Sequence, residues 1–188
     1  MRIFLLIILT LLSCSKIRAQ EVLREEARKA FEYLNKIRQS PAAFNDSVGV
    51  DLGYVKPRQE LQWDDILARV AEEKAYDMAE REYFSHVDPD GNGINILIKE
   101  AGYELPVDWV RDVTNNYFES IQAGAPTGQD VINDLIRDEG TNPPGHRNHL
   151  LGIEYFWSNC VDTGIGMVKK EGSLYGYYTC IIIAKHDF

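Results

Sequence analysis

The chain is short of positive charge. Its 20 lysines and arginines stand against 29 aspartates and glutamates, a formal net charge of −9. Such a surface repels phosphates, and no basic patch spaced with aromatics overrides it, so nucleic acid is excluded as a partner. The signature motifs of common enzymes are also missing. There is no His-Glu-x-x-His, no Gly-x-Ser-x-Gly, no phosphate loop and no Cys-x-x-Cys. No internal repeat or low-complexity stretch occurs. Helical and strand patterns do not alternate, which argues against a parallel βαβ sheet. The apolar run from Ile3 to Leu12, interrupted by Thr10, is too short to span a bilayer.

The 188 residues suit one domain, and 45% hydrophobic and 11% aromatic content supplies a core. Arg2 followed by the apolar run reads as a signal peptide over residues 1–19, leaving residues 20–188 as the domain. Two exits are open. Leu11-Leu12-Ser13-Cys14 resembles a bacterial lipobox, which would make Cys14 a lipidated first residue. Cleavage after Ile17-Arg18-Ala19 would instead leave Gln20 at the new end. Removal of residues 1–19 takes Arg2, Lys16 and Arg18 and no acidic residue, deepening the net charge to about −12. The even pair left after Cys14, Cys160 and Cys180, reads as a disulfide in an oxidising compartment.

Along the chain, Val22, Leu23, Ala27, Ala30, Phe31, Leu34 and Ile37 recur at helical spacing until Pro41. Residues 45–60 have no period and read as a loop. Trp63-Asp64-Asp65 opens a second helix whose stripe is Leu67, Val70, Ala71, Lys74, Ala75 and Met78, running to about Arg81. Asp88, Asp90, Asn92 and Gly93 imitate a calcium loop, but Lys99 holds the place of its bidentate Glu, so the segment reads as a Pro-Asp-Gly turn. A helix follows over 94–101, stopped by Gly102. Residues 103–126 read as irregular, anchored by Trp109, Tyr117 and Phe118. Thr127 and Asp130 form a capping box for a helix ending near Gly140. Residues 163–168 and 174–184 read as two strands joined by a turn over 170–173. Helices first and strands last give an α+β layer arrangement around an antiparallel sheet.

The histidines carry the candidate chemistry. His86, His146 and His149 lie in polar segments that enter or leave helices. Pro143-Pro144-Gly145-His146 places His146 at the first turn of a short helix. Glu119, Asp138 and Glu139 are carboxylates near them. Imidazole with carboxylate can hold a divalent metal or form an acid/base pair.

Five segments occur in the order of a bacterial CAP domain, the cysteine-rich secretory, antigen 5 and pathogenesis-related superfamily also called the SCP domain. They are Leu34-Asn35-Lys36-Ile37-Arg38-Gln39-Ser40-Pro41-Ala42-Ala43-Phe44, Leu61-Gln62-Trp63-Asp64, Phe84-Ser85-His86, Asp88-Pro89-Asp90-Gly91 and Gly145-His146-Arg147. The resemblance covers about residues 27–186. It implies a three-layer α-β-α sandwich around an antiparallel sheet. It also implies a cleft with two histidines and two carboxylates: His86, Glu119, Asp138 and His146, with Glu139 a rival for the third. Glu119 lies in Phe118-Glu119-Ser120-Ile121, whose flanks depart from the family's Gly-Glu-Asn. His149 stands where related bacterial sequences usually carry Asn, and reads as a replacement for an amide contact. Some members bind zinc or magnesium there, others bind sterols or lipids, and a peptidase role has been proposed for a few. The expectation is an exported binding module with a metal-capable cleft. The alternatives are a metal-assisted hydrolase of peptides or envelope polymers, and a lipid-binding protein. The expected partner is a peptide, polymer or lipid, with membrane contact only through an anchor at Cys14.

Overall fold

A computed structural model describes residues 20–185. The expected signal peptide, the expected lipobox at Cys14 and His186 lie outside the described residues. Strand β1 (Glu21–Val22) leads into helix α1 (Arg24–Gln39). A 3-10 turn over Pro41–Phe44 and α2 (Asn45–Val48) follow. Then come β2 (Gln62–Trp63), α3 (Asp65–Glu80), α4 (Ile94–Glu100), β3 (Glu119–Ala123) and α5 (Gly128–Arg137). The chain closes with α6 (Gly145–Leu150), α7 (Tyr155–Ser158), β4 (Asp162–Lys169) and β5 (Tyr177–Ala184). No described helix is long and apolar enough to cross a membrane.

The sheet order is β1-β4-β5-β3, antiparallel throughout this path, and β2 adds a short parallel pairing to the start of β4. The expected α+β sandwich is therefore present. Pleat alternation divides β4 and β5 into two faces. Gly164 and Gly166 are opposite Ile182 and Cys180, and this face receives α3. The glycines set that distance: a Cβ on Gly166 would lie 2.2 Å from the Glu72 backbone nitrogen, and one on Gly164 2.0 Å from that of Ala68. The other face, with Ile165, Met167, Ile181 and Ile183, is covered by α1 and α5.

Each helix follows from its residues. Buried Ala27, Ala30, Leu34 and Ile37 form the apolar stripe of α1. Asp64 caps α3 by accepting the Leu67 N–H at 2.8 Å, and Thr127 caps α5 by accepting the Asp130 N–H at 3.2 Å. Buried Asn35 bonds both backbone groups of Leu61, at 2.8 and 3.2 Å, as a neighbouring strand would. Arg38 is fully buried and donates to the Leu150 carbonyl at 2.7 Å, tying the end of α1 to the end of α6. Burial pushes its guanidinium down to about 10, helped by the nearby charge of Arg58.

Several boundaries differ from the sequence reading. Val22 belongs to a strand, because it pairs with Val168 before the helix begins. The supposed loop over 45–60 opens with α2, closed by Gly49 in the left-handed region at φ 84°. The irregular stretch over 103–126 contains β3, an edge strand visible only through its pairing with β5. Helix α5 stops at Arg137, since Asp138 takes a left-handed φ of 50°. The second strand begins at Tyr177, and Leu174 is exposed in a longer hairpin loop.

The expected disulfide is absent: Cys160 and Cys180 are both free, buried thiols. The register explains this. Cys180 is opposite Gly166, six residues beyond Cys160 along the same strand direction. At roughly 3.3 Å per residue this is about 20 Å, several times the Cβ separation that a bridge requires. Burial raises both thiols, Cys160 to about 11 and Cys180 well above the usual range, so neither is a ready thiolate.

Candidate functional site

The segment carrying His86 is clamped to the end of α3. Lys74, on the buried stripe of that helix, donates to the Tyr83 hydroxyl at 3.2 Å and to the His86 carbonyl at 3.1 Å. Tyr83 in turn donates to Asp77 at 2.7 Å, and Arg81 bonds Asp77 and Asp90, each at 2.6 Å. Further on, Asp88 accepts the backbone N–H groups of Asp90 and Asn92 at 2.9 and 2.8 Å. Burial pushes its carboxyl upward, but these bonds outweigh that and hold it below the ordinary value. The calcium-like run is thus an Asx turn whose first carboxylate is committed to its own backbone.

The clamp delivers His86 to the edge strand. Its Nδ1 lies 2.7 Å from Glu119 Oε2. The Glu119 side chain is fully buried, whereas the His86 ring is 41% exposed. The second carboxylate oxygen of Glu119 accepts from the Cys180 thiol at 3.3 Å. A buried carboxylate is costly without partners, and here both oxygens have one.

The second pair is built by the turn between α5 and α6. Left-handed Asp138 aims its carboxylate at the first turn of α6. There Oδ2 accepts the His146 and Arg147 N–H groups at 2.9 and 3.3 Å, and Oδ1 lies 2.8 Å from His146 Nδ1. Arg147 reaches the other way, donating to the carbonyls of Ile136 and Arg137 at the open end of α5. The Gly-His-Arg triplet therefore closes two helix ends and orients one imidazole. Burial raises Asp138, but the hydrogen bond and charge of His146, with the Arg147 N–H and Thr141, leave it below the carboxylate range. The Asp138 side chain is 2% exposed and the His146 ring 32%. Glu139, its sequence rival, is exposed.

Successive strand residues point to opposite faces, so β3 holds the His86–Glu119 pair and the Ser120–His149 contact on opposite sides. Glu119 presents His86 on the α3 side. Ser120 points to the α6 side, where its Oγ lies 2.7 Å from His149 Nδ1. The other ring nitrogen of His149 faces the Ile183 carbonyl at 3.5 Å. Burial drives His149 down to about 3, and the charges of His146, Arg38 and His86 add to the effect. His149 is thus a neutral, buried hydrogen-bonding residue within electrostatic range of both other imidazoles. It makes the kind of contact an amide would make.

The four expected residues form two His–carboxylate pairs, His86 with Glu119 and His146 with Asp138. Among the described residues, no group of three or more His, Cys, Asp or Glu side chains is set to hold a metal ion. A carboxylate that accepts the Nδ1–H of an imidazole leaves Nε2 with its lone pair. In metal sites such carboxylates orient the ligating imidazoles. An ion shared by the two imidazoles would keep open positions, and the residues do not fit a closed site of four protein ligands. Sequence reasoning missed Lys74, Ser120 and Cys180 as supports. A lysine on an otherwise apolar helical stripe is the one signal that pointed to them.

Comparison with known proteins agrees with this architecture. The family model described as CAP, the cysteine-rich secretory protein family, matches residues 31–182. The fold is similar to that of an outer surface protein from Borrelia burgdorferi, with a TM-score of 0.58 and 16% identity over 90% of this chain and 100% of that one. It is also similar to an extracellular protein containing a SCP domain from Bacillus anthracis str. Ames, with a TM-score of 0.56 and 20% identity over 86% of this chain and 41% of that one. A comparison with curated proteins gives no match. With the family model spanning most of the sequence and the sandwich reproduced in these two structures, the chain belongs to the CAP, or cysteine-rich secretory protein, family.

Proposed function

We propose that this protein is an exported binding module whose cleft, at the edge of β3, takes a divalent ion on His86 and His146. The carrying observation is the pairing of each half-exposed imidazole with a buried carboxylate, His86 with Glu119 and His146 with Asp138. Both Nδ1 positions are occupied, so Nε2 of each ring is the atom offered to a ligand. Two nitrogen donors favour zinc over magnesium, which prefers oxygen. The ion's open positions would receive water or a polar group of the peptide, polymer or lipid being bound. Export is supported by the leader-like N-terminal sequence and by fold relatives described as an outer surface and an extracellular protein.

A hydrolytic role has less support. Glu119 and Asp138 are both engaged by imidazoles, and neither is placed to activate water. The Ser120–His149 pair has nucleophile-and-base geometry, but Ser120 is 1% exposed and cannot meet a substrate. Zinc titration by calorimetry tests the binding reading. Wild type should bind one ion, and His86→Ala with His146→Ala should lose at least tenfold in affinity while keeping its circular dichroism spectrum. Affinity should also fall on acidification, as protons compete for the imidazoles. Unchanged zinc binding in the double variant would sink the assignment.

A further inference from the structure

The chain leading into β1 and the β4–β5 hairpin loop emerge at the same end of the molecule. Glu21 pairs with Lys169, the last residue of β4, and β1 runs antiparallel to that strand. The polypeptide therefore enters the fold from the side of the hairpin tip. That tip carries unpartnered apolar surface. Leu174 is 78% exposed, and Tyr175 is 41% exposed with its ring 5.5 Å from that of Phe84, itself 40% exposed. These residues come from two separate loops and make one patch. Lys170 fixes the patch to the body by donating to the Ala79 carbonyl at 2.9 Å at the end of α3.

We infer that this patch is a membrane-contact surface, seated on a neutral, zwitterionic bilayer and oriented by the chain that enters β1. Three observations select this occupant. The first is the shared end of hairpin and N-terminal strand. The second is reach: from the lipobox residue Cys14 to Gln20 is six residues, at most about 20 Å of extended chain. An acyl anchor at Cys14 would hold the tip against the lipid, and the apolar side chains would supply the second signal that stable anchoring needs. The third is charge. At the base of the hairpin Glu171 pairs with Lys169, and Glu80 and Glu82 pair with Lys170. These five paired groups leave no cationic excess for an anionic surface, so a neutral headgroup surface suits the tip. The inference stands apart from the zinc cleft, since it uses none of its four residues.

The test uses the exported mature protein and a form beginning at Gln20, each with phosphatidylcholine vesicles. An environment-sensitive dye on Leu174→Cys should brighten several-fold and shift to the blue when vesicles are added. The same dye on Tyr155→Cys, exposed on α7 before the opposite end of β4, should not respond. In flotation, Leu174→Asp with Tyr175→Asp should reduce the bound fraction of the Gln20 form at least tenfold, with an unchanged circular dichroism spectrum. Phosphatidylserine in the vesicles should weaken binding. No dye response at 174 in either form would overturn the inference. A response without lipid that grows with protein concentration would also overturn it, because the patch would then join two copies of the chain. Unaltered flotation of the double variant would refute it equally.

Discussion

His149 makes a quantitative prediction about acid stability. In the folded protein burial holds its imidazole near 3, whereas a histidine in the unfolded chain titrates near 6.5. A folded value below the unfolded one means that, between these limits, the unfolded chain binds a proton which the native state refuses. Stability is then fully present above about pH 6.5 and declines as pH falls toward 3. At pH 5 the linkage relation gives a loss of about 2 kcal/mol relative to pH 7.5, and nearly the same loss for any native value of 4 or less. His149→Asn removes the titration and keeps an acceptor near the position of Nδ1 for the Ser120 hydroxyl. Urea unfolding of both proteins at pH 7.5 and 5.0 is the assay. The drop in unfolding free energy between the two pH values should be about 2 kcal/mol smaller in the variant than in wild type. Equal drops in the two proteins would refute the reasoning, and would mean that the imidazole takes up its proton without leaving the native state.

Two further outcomes follow from the packing. Gly166→Ala should destabilise the fold by about 3 kcal/mol or more, because the new methyl meets rigid helix backbone at Glu72 and not a side chain that can swing away; thermal unfolding measures it. Both Cys160 and Cys180 should resist a thiol reagent in the native protein and react in urea without reductant; mass spectrometry showing a bridged, unreactive pair in urea would contradict the register.

The readable parts of the sequence were those governed by local rules. The α3 stripe, its opening at Trp63-Asp64-Asp65, the Thr127 cap and the first-turn position of His146 depend on spacing and on neighbours a few residues away, and all appear in the structure. The same held for the polar segments that would carry His86 and His146. Strand β3 was not legible, since Glu-Ser-Ile-Gln-Ala has no strong alternation and becomes a strand only because β5 offers its open edge. The cysteine pair misled for a related reason: an even count says nothing about register, and register left the thiols about 20 Å apart. Tertiary structure also decided how the four cleft residues combine. Strand β3 gave Glu119 to His86, and the left-handed turn after α5 gave Asp138 to His146, so each imidazole has its own carboxylate. The sequence by itself determined which side chains are available and which helix ends they can reach. Distances between segments far apart in the chain were fixed by the sheet, whose two faces are held to their helices by contacts that no local pattern encodes.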